Sequence, residues 1–164
     1  MSEKPSLVFI CSENSARSVL AEALARQLYS DRFAIYSAGS QPGTVDGRAL
    51  EALQRQGINQ QDLSSKAIKD LPLQQYDYAI LLCEKARQQC AGQINAKYVL
   101  AWDFPDPKLN PNPATFDHTL QEISERHARR RAEGGPLLVK ETQPEKMVYA
   151  SGAGHAATLE IAVS

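Results

Sequence analysis

Cys11 is followed by five residues and an arginine, in the run Cys11-Ser12-Glu13-Asn14-Ser15-Ala16-Arg17-Ser18. The apolar stretch Leu7-Val8-Phe9-Ile10 precedes the thiol, and Leu20, Leu24 and Leu28 come after it at a spacing of four. A strand before and a helix after predict a tight loop whose backbone N–H groups converge at a helix N-terminus. Such a loop suits a tetrahedral oxyanion, because amides and helix dipole favour negative charge and an arginine grips two oxygens at once. The same field favours thiolate over thiol at Cys11. Ser18 is placed to donate a hydrogen bond toward the sulfur, and Asn14 is a residue type that accepts the left-handed backbone a tight loop needs. The predicted chemistry is nucleophilic attack by Cys11 on an oxyanion held by Ser12, Glu13, Asn14, Ser15, Ala16, Arg17 and Ser18.

Two further cysteines bear on the fate of the adduct that this attack would form. Cys83 ends the apolar run Tyr78-Ala79-Ile80-Leu81-Leu82, and Cys90 comes seven residues later, across helix-forming residues. In a continuous helix that separation is a rise of about 10.5 Å, whereas a disulfide requires Cα atoms about 4.4–6.8 Å apart. A Cys83–Cys90 bridge therefore requires the helix to unwind, which would make the pair a conformational redox switch. A thiolate that attacks an oxidising oxyanion becomes an adduct. A second thiol resolves it as a disulfide, and a third carries that disulfide outward by thiol exchange. Cys11, Cys83 and Cys90 suffice for such a relay, whereas phosphate ester hydrolysis needs Cys11 alone.

A carboxylate completes the set. Asp106 lies in Asp103-Phe104-Pro105-Asp106-Pro107, where the two prolines restrict the backbone on either side. Held over an anion, Asp106 is suited to handle protons on the leaving or attacking oxygen.

These residues need a frame. Leu7–Cys11, Phe33–Ala38, Tyr78–Leu82 and Lys97–Leu100 read as strands, the first and third continuously apolar as in a parallel sheet buried on both faces. Gly39 and Pro42-Gly43 end the second. Arg48–Gln56 reads as a helix stopped by Gly57, and Phe116, Leu120, Ile123 and His127 mark one face of a late helix, with His127 a packed or partly exposed helix residue rather than a catalyst. Alternating strands and helices predict an α/β fold with a parallel sheet and right-handed crossovers. Ligands bind beyond the carboxyl ends of such strands, and Cys11, Cys83 and Asp106 all come after strand-like runs, so they are expected on one rim.

The 164 residues suit one domain over 1–133, followed by an extension, 134–164, that begins at the helix-breaking Gly134-Gly135-Pro136. Within the extension, Met147-Val148-Tyr149 and Leu159–Val163 read as short strands or a loose tail, and no chemistry is apparent. Net charge is −1 and the basic residues are dispersed, which argues against a nucleic-acid surface; Arg129-Arg130-Arg131 suits a helix C-terminus. Neither a signal-peptide pattern nor a bilayer-spanning apolar stretch is present, so the cytoplasm is the expected compartment. There, three cysteines are expected to be catalytic or redox-active rather than a disulfide framework. No metal-ligand spacing is found, and no bound metal or organic cofactor is expected.

Phe9-Ile10-Cys11-Ser12-Glu13-Asn14-Ser15-Ala16-Arg17-Ser18, Ala21-Glu22-Ala23, Tyr36-Ser37-Ala38-Gly39-Ser40 and Asp106-Pro107 together resemble the low-molecular-weight protein tyrosine phosphatases. Over residues 6 to 131 they resemble more closely the arsenate reductases that share that fold. The resemblance implies a four-stranded parallel sheet flanked by helices. It also implies attack of Cys11 on arsenate, a resolving relay through Cys83 and Cys90, and electrons from an external thiol reductant, either thioredoxin or glutathione/glutaredoxin. Trp102 before Phe104-Pro105-Asp106-Pro107 is similar to the reductase branch, and Lys108 stands where the phosphatase branch usually has tyrosine. The departures are Ala16 for a second loop cysteine, Glu13 for the commoner glycine, Ala91 for a proline, and Lys66 where some reductases carry an acidic residue near a bound potassium ion. A carboxylate at Glu13 is expected to point outward from an anion loop. The alternative activity is phosphoester hydrolysis through a phosphocysteine at Cys11; a catalytically silent anion-binding module is a third reading, disfavoured by the intact cysteine, arginine and acid.

Overall fold

The computed structural model describes residues 4–59, 61–90, 92–132 and 146–148, the side chains of 89–90, 129–132 and 146–148 excepted. Strand β1 (Ser6–Cys11) is buried along its whole length. A continuously apolar sequence belongs there, since both faces of the strand meet other elements. Strand β2 (Ala34–Gly39) pairs with one side of β1 and β3 (Tyr76–Leu81) with the other, followed by β4 (Ala96–Ala101). All four are parallel, as the alternation predicted.

A fifth strand, β5 (Lys146–Val148), pairs antiparallel with β4, so the order is β2-β1-β3-β4-β5. Part of the extension thus covers the outer edge of β4, where unpaired backbone groups would otherwise face solvent. This strand overlaps the Met147-Val148-Tyr149 candidate; the second candidate, Leu159–Val163, lies outside the described residues.

Helix α1 (Arg17–Tyr29) comes directly after the cysteine loop. The leucine spacing predicts a single core-facing stripe, but every residue from Arg17 to Ala25 is buried. The reason is tertiary: α1 is packed against β1 and β2 and also against α2 (Gly47–Arg55) and α4 (Ala114–Ala132). Helix α3 (Glu84–Cys90) joins β3 to β4 and packs against β1 and β3. Chain direction across the sheet reverses between the β1–β2 and β3–β4 connections, which for right-handed crossovers puts α1 and α3 on opposite faces. Helix α2 ends where Gly57 takes a φ of +70°, a conformation costly to residues with a Cβ.

The late-helix stripe behaves as expected. Phe116, Leu120, Ile123 and His127 are all buried on α4. His127 sits among aromatic rings, with centroids 6.0 Å from Phe9, 5.5 Å from Tyr29 and 5.3 Å from Trp102. It is a core residue, and Trp102 is its packing partner beyond the end of β4. Among the described residues no helix is long and apolar enough to cross a membrane.

Candidate active site

The loop after β1 turns its carbonyls outward. Cys11 O accepts from Ser40 N–H (3.4 Å), Ser12 O from Gln41 N–H (2.8 Å), Glu13 O from Gly43 N–H (3.1 Å) and the Ser65 hydroxyl (2.9 Å), and Ser15 O from Asp46 N–H (2.9 Å). The amides of Ser12–Ala16 donate to no protein acceptor among the described residues. Beside them lies a recess of about 10 Å³ lined by Cys11, Ser12, Glu13, Ser15, Ala16, Arg17, Asp106 and Lys108. Ala16 precedes α1 with no side-chain cap, so the helix's first N–H groups are also left for an anion. Asn14 has φ 53°, the left-handed conformation its residue type suggested.

Gly39 makes this loop possible. It is the register partner of Cys11, and a Cβ built on it would lie 2.7 Å from Ser12 O, 2.8 Å from Asn14 N and 2.9 Å from Glu13 C. All three are backbone atoms, so nothing yields without deforming the loop. Gly39→Ala is expected to cost about 1–3 kcal/mol and to weaken inorganic phosphate binding at least about tenfold, as read by urea unfolding and calorimetry. Phosphate affinity equal to wild type would show that the loop adapts.

Cys11 is buried with its Sγ 3.0 Å from Ser18 Oγ. Ser18 Oγ accepts from Asn14 Nδ2 at 2.7 Å, leaving the serine proton to be donated to sulfur. Asn14 Nδ2 also donates to Ser37 Oγ (3.0 Å), and the Ser37 hydroxyl donates to Glu22 Oε1 (2.5 Å). Asn14 Oδ1 accepts from Lys66 N–H at 2.8 Å. The donor directions thus diverge from Asn14 Nδ2, through Ser18 toward the thiol and through Ser37 toward the Glu22 carboxylate.

Arg17 is buried at the mouth of α1. Its Nη1 donates to Phe104 O at 3.0 Å and its Nη2 stands 3.5 Å from Asp106 Oδ2, while Nε is buried with no hydrogen-bond partner. A buried orphan donor on an amide-lined recess is explained if an oxyanion takes the Nε/Nη2 edge. Asp106 is brought over by the segment after β4: Trp102 N–H and Phe104 N–H donate to Leu81 O (2.8 Å) and Leu82 O (3.1 Å). Its Oδ1 then caps a short turn, Pro107–Leu109, by accepting from Lys108 N–H at 3.0 Å. The Glu13 carboxylate does point outward, half exposed, and is held there by Lys108. That lysine keeps its carboxyl below the usual range, assisted by Ser15 and Lys85 against some burial.

The sequence profile of the low molecular weight phosphotyrosine protein phosphatases matches residues 6–133. The chain belongs to this family. An arsenate reductase from Bacillus cereus is 30% identical over 135 residues, covering 82% of this chain and 99% of that protein. Among solved structures, an arsenate reductase in its phosphate-binding state superposes with a TM-score of 0.62 at 24% identity, covering 79% of this chain and 98% of that one. A tyrosine phosphatase from Erwinia amylovora superposes with a TM-score of 0.58 at 17% identity, covering 76% and 89%. The fold is therefore that of the low molecular weight phosphatases, shared by reductases and phosphatases alike.

On this phosphatase-family fold, Cys83 lies where β3 leaves the sheet beside β1. Leu82 N–H donates to Ile10 O at 2.8 Å, so Cys11 and Cys83 leave neighbouring strands at the same rim. Cys83 is a buried free thiol, its Sγ 3.4 Å from Ala86 N. Cys90 closes α3, with its side chain outside the described residues. The recess thus brings together Cys11, the loop, Arg17 and Asp106; Cys83 leaves the neighbouring strand at the same rim, and Cys90 is placed by its backbone alone.

Sequence reasoning missed the supports: Ser37, Glu22, Gly39 and Lys66 belong to the network behind the thiol. The motif strings Ala21-Glu22-Ala23 and Tyr36-Ser37-Ala38-Gly39-Ser40 contain three of them but do not reveal what they touch. Lys66 Nζ donates to Ser37 O (3.2 Å) and Ser64 O (2.8 Å), and its charge and that of Glu22 influence each other. A cation added here would face the Lys66 ammonium, so these residues do not suit a potassium ion. Among the described residues no cluster of three or more His, Cys, Asp or Glu could hold a metal.

Glu22 is 1% exposed and pairs with Arg26. Burial pushes its carboxyl up, opposed by the Ser37 hydroxyl and by Arg26 and Lys66. A raised folded value means that the stability tied to this group is present below the unfolded value of about 4.3 and is lost as pH rises through the folded value. Glu22→Gln removes that titration. The variant's stability relative to wild type is expected to improve as pH rises from about 4 to 7, measured by urea unfolding. A difference constant with pH would contradict the assignment.

Proposed function

We propose that this chain reduces arsenate to arsenite by a three-thiol relay. The observation that supports it best is the pairing of an anion-loop thiol, Cys11, with a second thiol, Cys83, leaving the adjacent strand. Relatives named arsenate reductase that match nearly their full length favour the same substrate. Arsenate docks on the loop amides of Ser12–Ser18 and the Nε/Nη2 edge of Arg17. The Cys11 thiolate forms a bond to arsenic(V), and an oxygen leaves as water with a proton managed by Asp106. The Cys83 thiolate then attacks the Cys11 sulfur. The sulfur–arsenic electron pair returns to arsenic, which departs as arsenite, leaving a Cys11–Cys83 disulfide. Attack by Cys90 on Cys83 frees Cys11 and creates a Cys83–Cys90 disulfide. Thioredoxin or glutathione/glutaredoxin supplies the two electrons that reopen it. No bound metal or organic cofactor enters this scheme. The chemistry resides in residues 1–133, with 134–164 an extension that adds β5. The cytoplasm, with its reducing thiol pools, is the setting that suits it, and arsenical resistance its physiological use.

The placement of Asp106 beside Arg17 also favours a second reading, hydrolysis of a phosphoester through a phosphocysteine at Cys11. Steady-state arsenate reduction with each reductant, run beside hydrolysis of a generic aryl phosphate, separates the two. Absence of arsenate turnover with both reductants, in a protein that cleaves the ester, would reject the reductase.

A further inference from the structure

Lys108 joins the two halves of the mouth. Its backbone N–H is tied to Asp106, its Nζ reaches the Glu13 carboxylate, and the same Nζ stands 2.9 Å from Ser15 Oγ on the anion loop. The lysine is anchored at its root as well, in the short turn Pro107–Leu109, where the Thr115 hydroxyl holds Pro107 O at 3.1 Å. The side chain therefore runs from the acid loop across to the anion loop, over a recess of only about 10 Å³. Ligand pockets for drug-sized organic molecules are typically about 300–1,000 Å³.

We propose that the Lys108–Glu13 ion pair is a specificity strap that favours small inorganic oxyanions over organic phosphoesters. It rests on the reading of the loop as an oxyanion site. The leaving oxygen of any substrate must meet Asp106, so the group it carries projects toward Lys108. For arsenate or phosphate that group is a hydroxyl and the strap stays closed. For an aryl ester it is a ring, which must part Lys108 from Glu13 and Ser15 and leave the Glu13 carboxylate unpaired beside an anion. Neutralisation is the strap's second effect. With Lys108 in place, the carboxylate at the rim does not repel an incoming anion.

Calorimetric affinities for inorganic phosphate and phenylphosphonate, a non-hydrolysable ring-bearing analogue, test the strap without any turnover. Wild type is expected to prefer phosphate. Glu13→Ala and Lys108→Met should each shift the ratio toward phenylphosphonate by more than about twofold and up to about fivefold, the scale of one partly exposed ion pair. The Glu13→Ala/Lys108→Met double variant should shift it no further than the larger single change, because both remove one constraint. Lys108→Arg, which retains a cation able to reach Glu13, should stay near wild type. Ratios within twofold of wild type in both single variants would overturn the strap, as would a Lys108→Arg shift equal to that of Lys108→Met. Arsenate reduction enters none of these values. A shifted ratio in a chain that does not reduce arsenate would keep the strap and reject the reductase, and an unshifted ratio in an active reductase would do the reverse.

Discussion

Cys11→Ser is expected to abolish both arsenate reduction and aryl phosphate hydrolysis, by at least about 10⁴-fold, while leaving inorganic phosphate bound at near wild-type affinity. The sulfur is the group that forms the covalent bond in either reaction, and the hydroxyl that replaces it is a far weaker nucleophile without an adjacent base. Behind it, Ser18 is 3.0 Å away and supplies a hydrogen bond, not a base. The anion site is built from other parts: inward amides, the N-terminus of α1 and the buried edge of Arg17. Substitution of one thiol leaves all of them in place. Parallel assays of turnover and of phosphate binding by calorimetry therefore separate chemistry from docking. Residual activity above about one per cent in either assay would mean that the attack comes from another group.

The second large effect concerns the other two cysteines. Cys83→Ser and Cys90→Ser are each expected to stop repeated arsenate turnover while leaving aryl phosphate hydrolysis largely intact, since only the redox cycle needs a resolving thiol. Loss in Cys83→Ser alone would favour a glutathione route with one resolving thiol, and full turnover in both would reject the relay. The geometry adds a structural consequence. Glu84–Cys90 is helical and Arg87 N–H donates to Cys83 O at 3.1 Å. Across that helix the two cysteines differ by a rise of about 10.5 Å, beyond the roughly 4.4–6.8 Å that a disulfide spans. Oxidation must therefore unwind α3, and Arg87, which pairs with Asp103 at 3.1 Å, moves with it. Hydrogen exchange on reduced and oxidised protein should show residues 84–90 losing protection while β3, held between β1 and β4, keeps its own. Unchanged protection in a protein verified to carry the Cys83–Cys90 bridge would contradict the switch.

Much of this was legible in local pattern. Cys11-x5-Arg17 between an apolar strand and a helix repeat determines an anion loop, because strand, tight turn and helix N-terminus are local structures set by near neighbours. The alternation of strands and helices determined the parallel sheet, and so the common rim that Cys11, Cys83 and Asp106 share. The left-handed backbone at Asn14 and the core-facing stripe Phe116, Leu120 and Ile123 were legible for the same reason. Burial all around α1, the edge strand at Lys146–Val148 and the rim pairing of Lys108 with Glu13 were decided only by tertiary structure. So was the chain of hydrogen bonds from Glu22 through Ser37, Asn14 and Ser18 to the thiol. Gly39 shows why. As a residue it reads as a strand end, and the requirement for a missing Cβ comes from Ser12, Glu13 and Asn14, some 25 positions earlier in the chain. Periodicity and turn chemistry report what a residue does to its neighbours in sequence; contacts made across the sheet exist only once the strands have found their register.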